Sequence, residues 1–514
     1  MPAPSGERWW QEIRPQVSLV ALFLTLLLGL ALQYRVTDAD FWWHLRTGQW
    51  IVENRAIPYT DPYSFTAGGQ PWIAHSWLAE VAMYTLYRYV GPFTLPLLRA
   101  LLEVATFGLL LKMLWERWPR LWGTLLLILV VFFASARFWL ERPNTLSLAL
   151  SLFFLYLWQR YKWHGRAALW LLPLLMVFWA NVHSGFIYGL LLLAALFLGE
   201  LPAGRTFPDP APLERRRWLR FGLFSLLSIL ATLLNPYGPR LLLYPFSYYL
   251  GGITLHTGFV AEWLPPNFHE FGNILFALLI LALIGALAWR KSGPGPAETL
   301  ALLLFLGLSL SSVRAAGVAI PMLAWSLAGI LGQGVSPRPT SLRRGAWPRP
   351  GKGILWAWYG GSLLLLLLLL AAIGYDFAAW GRESGFVNES DYPRQAVTAL
   401  ADTFPPSTRL FNSYNWGGYL IWRLYPDYPV FIDGRADLYG DALFRDYMAV
   451  WRAAPDWSQV LDNYQVEAVL CERQGPLATV LAESRSWQTV YQDDLAIVFR
   501  RESPTAGETR WNPR

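Results

Sequence analysis

Cysteine is almost absent from this chain, which has one, Cys471, in 514 residues. A single cysteine excludes an intramolecular disulfide and any metal site built from several cysteines. The sequence also lacks the P-loop pattern (GxxxxGK followed by Ser or Thr), the GxSxG pattern and the HExxH pattern. Nucleotide-driven transport, α/β-hydrolase chemistry and zinc-peptidase chemistry therefore have no support in the sequence.

Charged residues are scarce as well, at 15% of the chain against 54% hydrophobic residues. Ordinary soluble domains carry about 25% charged residues. Several apolar segments approach the roughly 20 residues that a helix needs to cross a bilayer. They are residues 18–34, 121–136, 185–199, 274–289 and 353–373. The composition therefore predicts a polytopic α-helical membrane protein with about 11–13 spans.

Clusters of arginine and lysine predict which side of the membrane each segment faces, because basic flanks mark the cytoplasmic side. Such clusters lie at residues 160–166, 205–220, 290–291 and 338–352. Placing them on the inner side of the cell membrane leaves the N-terminus in the cytoplasm and residues 35–76 and 375–514 outside. The amphipathic segment Trp77–Tyr89 fits two alternatives, a short span or a helix that lies in the interface.

The segment from Tyr375 to the end differs from the rest, with 19 Asp and Glu, 13 Arg and no Lys. Helical patterns at 390–402 and 441–463, with β-like runs at 429–432, 467–470 and 495–499, predict a small α/β fold. We therefore expect two domains, a membrane domain (1–374) and an extracytoplasmic domain (375–514). The positive excess of the chain lies in the membrane domain, and no interleaved basic and aromatic module occurs, so we expect no nucleic-acid partner.

The densest polar chemistry follows directly on the first apolar segment, in the run TDADFWWHLR from Thr37 to Arg46. If a helix begins near Asp40, then Asp40 and His44 share one face. The Asp40 carboxylate would then lie at the helix N-terminus, where it is stabilised. The loop thus predicts a carboxylate pair, Asp38 and Asp40, at the membrane surface. The alternative is that Asp38 caps the helix and the tryptophans form an interface belt without chemistry.

This acidic loop resembles that of the GT-C superfamily of membrane glycosyltransferases, which includes oligosaccharyltransferase catalytic subunits and protein O-mannosyltransferases. In the oligosaccharyltransferases, an Asp-Pro-aromatic-aromatic-Asn-Tyr-Arg run precedes a stretch similar to LVENG. Here Asp40 falls on the acidic position, Arg46 falls on the arginine, and IVENR matches the later stretch. The proline is missing, and His44 is an addition. The resemblance implies a GT-C-like fold, with Asp40 as base or metal ligand and Asp38 in support.

Transfer from a polyprenyl-phosphate donor, which the resemblance implies, needs a carboxylate at the acceptor and positive charge or a metal at the leaving phosphate. Asp38 and Asp40 suit a hard cation such as Mg²⁺ or Mn²⁺, although the superfamily also has metal-independent members. Candidates to bind the phosphate are His44, Arg46, Arg142, Arg240 and Arg314. Charged groups near the membrane are functional candidates by default, and the alternative for each arginine is contact with lipid headgroups.

A second informative stretch runs from Phe411 to Asp441 and is similar to the W-W-D-Y-G-Y signature that begins the external domain of oligosaccharyltransferases. Aligning the Gly-Tyr pairs puts Trp416 where that family has its acceptor-reading aspartate. We expect the acceptor to be bound by a group of aromatic and charged residues, namely Tyr414, Trp416, Tyr419, Asp433 and Arg435. The alternative is a tail that acts as a structural lid or as a protein-interaction domain.

These observations together predict a glycosyltransferase at the outer face of the membrane, embedded among membrane lipids. It would use a polyprenyl-phosphate sugar and a glycan, lipid or protein acceptor. Two alternatives remain open from the sequence. One is a transporter or flippase of a lipid-linked intermediate, and the other is a membrane scaffold without catalytic activity.

Overall fold

The computed structural model describes residues 8–165, 168–201, 212–250, 258–290, 293–333, 352–382 and 391–502. The α-helices of the first part are Arg8–Leu32, Phe41–Asn54, Trp77–Tyr89, Thr94–Arg117, Leu121–Ser135, Asn144–His164, Leu171–Val182, Phe186–Gly199, Arg215–Ala231, Pro239–Leu250, Phe271–Trp289, Pro296–Ser311, Ala316–Leu331 and Lys352–Arg382. The helices of the tail are Arg394–Thr403, Gly417–Leu424, Ala436–Trp451, Trp457–Asn463 and Pro476–Glu483.

Three helical segments among the described residues are long and apolar enough to cross a membrane. They are Leu121–Phe138, Phe271–Trp289 and Val313–Leu331. Shorter apolar helices occur at Val17–Leu32, Leu171–Val182, Phe186–Gly199, Pro296–Ser311 and Tyr359–Tyr375. The five apolar segments identified in the sequence are thus helical except for one or two residues at the ends of three of them. The total number of spans and the orientation of the termini stay predictions.

The tail contains a four-stranded sheet with the order β1-β2-β4-β3. The strands are β1 (Leu410–Asn412), β2 (Ala468–Glu472), β3 (Trp487–Gln492) and β4 (Ala496–Arg501). β1 and β2 are parallel, whereas β2–β4 and β4–β3 are antiparallel. β2 and β4 read AVLCE and AIVFRR, and nearly all of their side chains are buried, as expected for central strands rich in β-branched residues. The predicted α/β fold of the tail is confirmed.

One predicted strand is absent from the sheet. Residues 429–432 form only isolated bridges, in which Val430 pairs with Ser64 of the first loop and with Leu410. Pro429 has no backbone N–H to donate to a ladder, so this run does not extend into a full strand. The structure also adds β1 and β3, which the sequence pattern does not predict, and divides the predicted helix 441–463 into Ala436–Trp451 and Trp457–Asn463.

The tail and the first loop (residues 35–76) share one hydrophobic core. The Trp42 ring lies 5.6 Å from Tyr392, 5.3 Å from Tyr419 and 6.2 Å from Trp422. Backbone hydrogen bonds join the same two segments, because Phe65 N–H donates to the Val430 carbonyl at 3.1 Å. The loop and the tail therefore form one folded unit. The division at residue 374 stays a prediction.

The helix Phe41–Asn54 carries the acidic run, and its start is set by local hydrogen bonds. Asp38 Oδ1 accepts from the Asp40 N–H at 2.8 Å, a turn that Asp side chains favour ahead of a helix. The helix lies against Trp77–Tyr89 so closely that a Cβ at Gly48 would overlap the Glu80 carbonyl and come within 2.9 Å of Tyr84 Cβ. Glycine at this position lets the two helices touch. Trp77–Tyr89 is a helix, as expected both for a short span and for a helix that lies in the interface. The structure therefore does not decide between these two alternatives.

Candidate active site

A cavity of about 520 Å³ lies between the first loop, the membrane helices and the tail. Each of these three parts contributes side chains to its wall. The charged, imidazole and amide groups of the wall are Asp38, Asp40, His44, His75, Arg142, Asn144, His183, Glu262, Arg314, Asn415, Arg435, Asp437 and Glu472. The cavity therefore joins residues that are more than 400 positions apart in the chain into one candidate site.

Arg142 is the centre of the charged cluster. It lies in the turn before the helix Asn144–His164, and its Nη1 donates to Asp40 Oδ2 at 2.7 Å. Its Nε lies 2.9 Å from Asp38 Oδ2, although the two atoms are not aligned for a hydrogen bond. Its Nη2 contacts Glu262 Oε1. Arg314 adds a second cation, with its Nε 3.9 Å from Glu262 Oε2.

Asp40 has a carboxylate whose protonation is balanced by opposing neighbours. Burial and the charge of Asp38 raise its pKa, while Arg142 and the hydrogen bond from Trp43 Nε1 at 3.0 Å lower it. The result is a pKa of about 6. A carboxyl group that titrates close to neutral pH can accept or return a proton at physiological pH. Asp40 thus has the properties of a general base.

Three histidines, His44, His75 and His183, also line the cavity. His44 Nδ1 lies 2.8 Å from Glu80 Oε1, and His183 Nδ1 lies 2.8 Å from Ser147 Oγ. The His75 ring lies 5.9 Å from His183. Burial and nearby positive charge lower the pKa of His44 and bring that of His75 to about 4. His44 and His75 are therefore neutral at physiological pH, and the positive charge of the cavity wall comes from arginines, namely Arg142, Arg314 and Arg435.

Five of the predicted site residues lie outside the cavity wall. Arg46 donates to Gln49 Oε1 at 2.7 Å and to the Tyr425 carbonyl at 3.1 Å, and it stacks on the Tyr425 ring. Arg240 is exposed at the start of the helix Pro239–Leu250. Neither arginine borders the cavity.

The other three are Trp416, Tyr419 and Asp433, which are all buried in the tail. Trp416 Nε1 donates to the Asp391 carbonyl at 3.2 Å, and Tyr419 packs against Trp42. These aromatic residues of the tail, which the sequence suggested could bind a sugar, fill a hydrophobic core. They supply apolar surface by which the loop and the tail pack together. Of the predicted acceptor group, Tyr414 and Arg435 reach the cavity wall.

Arg435 connects the tail to the first loop through a fully buried ion network. Its Nη1 donates to Asp61 Oδ1 at 2.7 Å, and its Nε and Nη2 donate to Asp433 at 2.8 and 2.6 Å. Tyr439 also donates to Asp433. The guanidinium lies 4.7 Å from the Trp72 ring centroid. The two buried aspartates raise the pKa of Arg435, so its charge is permanent and holds loop and tail in register.

Glu262 is the main site residue that the sequence pattern does not identify. It lies in the segment 258–264, between the helices Pro239–Leu250 and Phe271–Trp289. In the sequence, Glu262 is a lone acid between two aromatic residues, Phe259 and Trp263, shortly before a pair of prolines. Without its contact to Arg142, that acid has no distinguishing feature in the sequence.

Carboxylate oxygens are the ligands that Mg²⁺ and Mn²⁺ prefer, so the acidic cluster was tested as a metal site. Its three carboxylates already surround the guanidinium of Arg142 at bonding distance. A metal ion would need the same space. In the described ranges, no group of three or more His, Cys, Asp and Glu side chains could hold a metal ion. As arranged, the predicted pair Asp38 and Asp40 does not fit a metal.

Comparison with solved structures shows that the fold is similar to that of membrane-bound oligosaccharyltransferases. The oligosaccharyltransferase of Archaeoglobus fulgidus, tethered to an acceptor peptide with an NVT sequon, matches 97% of this chain and 75% of its own, with a TM-score of 0.55 and 12% identity. The same organism's oligosaccharyltransferase AglB, in complex with an inhibitory peptide and a dolichol-phosphate, matches 90% of this chain and 70% of its own (TM-score 0.54, 11% identity).

ArnT from Cupriavidus metallidurans, bound to undecaprenyl phosphate, covers 96% of this chain and 98% of its own, with a TM-score of 0.46 and 14% identity. No protein-family model and no curated protein sequence matches the chain. Identities of 11–12% to the two oligosaccharyltransferase structures show the fold alone. The predicted resemblance to GT-C glycosyltransferases is confirmed at that level.

Proposed function

We propose that this chain is a glycosyltransferase that moves a sugar from a polyprenyl-phosphate donor to an acceptor at the outer face of the membrane. The observation that carries the proposal is Asp40, a carboxylate with a pKa of about 6 on the wall of a cavity that also holds Arg142 and Arg314. The fold likeness supports the same reaction class, because one similar structure holds dolichol-phosphate and another an acceptor peptide.

In the proposed reaction, Asp40 takes a proton from the acceptor's nucleophilic group as that group attacks the anomeric carbon of the sugar. The bond between that carbon and the phosphate oxygen breaks, and the electron pair leaves with the phosphate. A barrier of this kind falls most when positive charge lies where negative charge develops. Arg314 is suited to that task, since its guanidinium borders the cavity and its ion pair with Glu262 is long, at 3.9 Å.

His75 would assist the leaving phosphate. Its side chain lies on the cavity wall near His183 and Tyr244, and its pKa is depressed in part by the charge of Arg314. An arriving phosphate would reverse that influence, because an opposite charge favours the protonated imidazole. The acceptor would enter from the tail side, where Tyr414 and Arg435 lie. Its chemistry (glycan, lipid or protein) stays open.

The test is transfer of labelled sugar from a panel of polyprenyl-phosphate donors by purified protein in lipid bilayers, with extracted envelope lipids, glycans and proteins as acceptors. Asp40→Asn should abolish transfer, and Arg314→Gln should raise the KM for the donor. Arg240→Gln is the matched control, because this exposed arginine lies off the cavity and its loss should leave the rate unchanged. Full transfer by Asp40→Asn would refute the assignment of the base.

Donor movement across the bilayer without sugar transfer would instead support the flippase alternative. It can be measured in the same vesicles by enclosing the labelled donor and following its appearance in the outer leaflet. We expect no donor movement that depends on the protein. Movement that persists in Asp40→Asn, with no transferase activity in the wild type, would overturn the proposal.

A further inference from the structure

The guanidinium of Arg142 occupies the centre of a carboxylate cluster that three separate segments of the chain build. Asp38 and Asp40 come from the first loop, and Glu262 comes from the segment 258–264. All three carboxylates contact different nitrogens of the same guanidinium. The Arg142 side chain is 10% exposed and that of Asp38 7%, while Asp40 and Glu262 are 23% and 33% exposed, so water screens the centre of this cluster less than its rim.

Three carboxylates brought this close repel one another and require a cation between them. Clusters of oxygen ligands usually meet that need with a hard divalent ion. Arginine meets it in a different way. Its planar guanidinium presents five N–H donors, stays charged at all physiological pH values, and is tied to the chain. The cation of this site is therefore always present, at any concentration of metal.

We propose that Arg142 replaces a divalent metal ion in this site, and that it holds Asp38, Asp40 and Glu262 in place so that the site works without metal. The expected effect of Arg142 on sugar transfer rests on the proposed function, whereas the expected effect on Mn²⁺ binding does not. Arg142 acts as a positioning residue, because it touches the carboxylates that would meet the acceptor. Removing its charge while keeping its bulk leaves three acids around a neutral side chain, which is the arrangement that attracts a metal.

The experiment is a Mn²⁺ titration of the full-length protein in lipid bilayers, read by electron paramagnetic resonance, which separates bound from free Mn²⁺. Any Mn²⁺ that the wild type binds should bind equally well to Asp40→Asn and to Glu262→Gln. Arg142→Met should gain one Mn²⁺ per chain at tenfold or greater affinity than the wild type. The second substitution Glu262→Gln should abolish this gain. Arg137→Met is the control, because Arg137 pairs with Glu270 away from the cluster and should gain no such site.

Transfer assays provide the catalytic readout. Wild-type transfer should be unchanged by EDTA, while Arg142→Met should lose at least tenfold of the rate and regain part of it with Mn²⁺. Thermal unfolding of each variant checks that it is folded, and Arg142→Lys, which keeps a cation, should remain free of Mn²⁺. A wild-type Mn²⁺ site that depends on Asp40 and Glu262 would overturn the proposal. So would a folded Arg142→Met protein that binds no Mn²⁺.

Failure of the proposed function is distinguishable from failure of this inference. If no donor supports transfer but Mn²⁺ binds only after the loss of Arg142, the enzyme assignment fails and the metal replacement stands. If transfer occurs and EDTA abolishes it, the enzyme assignment stands and the metal replacement fails.

Discussion

Gly434 provides the sharpest test of how the tail shapes the site. A Cβ added at this position would overlap Asp40 Oδ1, and it would lie 3.0 Å from the carboxyl carbon and 3.4 Å from Trp43 Nε1. In Gly434→Ala the carboxylate must therefore rotate and give up the hydrogen bond from Trp43, which is 3.0 Å long in the native site. A hydrogen bond to a charged group contributes about 1.5–3 kcal/mol. We expect transfer to fall about 10- to 150-fold, since each 1.4 kcal/mol corresponds to a factor of ten.

The assay compares transfer rate and thermal unfolding for Gly434→Ala and for Gly417→Ala in the same purified preparation. A Cβ at Gly417 would lie 2.6 Å from the backbone Cα of Asp433, which cannot move without the chain. Gly417→Ala should therefore lower stability by about 1–3 kcal/mol, and Gly434→Ala should lose stability by up to about 3 kcal/mol with its hydrogen bond. Only Gly434→Ala should also lose transfer in the fraction of protein that stays folded. Wild-type transfer by Gly434→Ala would refute the inference that the tail fixes the Asp40 carboxylate.

Three further predictions use other contacts. Asp38→Asn should move the acidic limb of the pH–rate profile below its wild-type position near pH 6, because the charge of Asp38 raises the pKa of Asp40 and its loss lets that base stay deprotonated in more acidic solution. Arg435→Met should destabilise the protein by about 3–5 kcal/mol in thermal unfolding, because two buried aspartates lose their partner. Residues 391–502 expressed alone should show no cooperative unfolding by circular dichroism, because the tail surface that packs on Trp42 becomes exposed.

Each of these has a contradicting outcome. An acidic limb that moves to higher pH in Asp38→Asn would show that another group controls the titration. For Arg435→Met the control is Arg473→Met, because the pair of Arg473 with Asp494 is exposed. Its loss should lower the free energy of unfolding by about 1 kcal/mol or less. Equal losses of stability in the two variants would contradict the importance of the buried network. An isolated tail that unfolds cooperatively at the full-chain midpoint would contradict a core shared with the loop.

Much of the membrane part could be predicted from the sequence, because long apolar runs must be helical where no water can satisfy the backbone. The same reasoning brought Asp38, Asp40, Arg142 and Arg314 to one face, and in the structure all four border the cavity. These four residues could be identified as candidates because charged residues beside apolar runs are rare. Asp40 also precedes a helix, as expected, but its side chain bonds to Arg142 and Trp43 rather than to the helix backbone.

The tail could be predicted less well, because its sequence does not distinguish aromatic residues that bind a ligand from those that fill a core. Trp416 and Tyr419 have the composition of a sugar site, yet they are only 4% and 3% exposed. Their burial depends on the first loop, which lies more than 300 residues earlier in the chain. Glu262 could not be assigned for the same reason, since its only signature is a contact with Arg142.

The properties of the candidate base therefore belong to the assembled structure and not to the acidic motif. Burial and Asp38 raise the pKa of Asp40, and Arg142 and Trp43 lower it. Gly434 leaves room for the observed orientation of the carboxylate, which a Cβ at that position would block. A short chain segment with the same two acids, placed in another fold, would have an ordinary carboxyl pKa and no cation beside it. Side chains that line no part of the cavity, such as the buried Asp61 that pairs with Arg435, are thus as necessary for the proposed chemistry as the carboxylate that performs it.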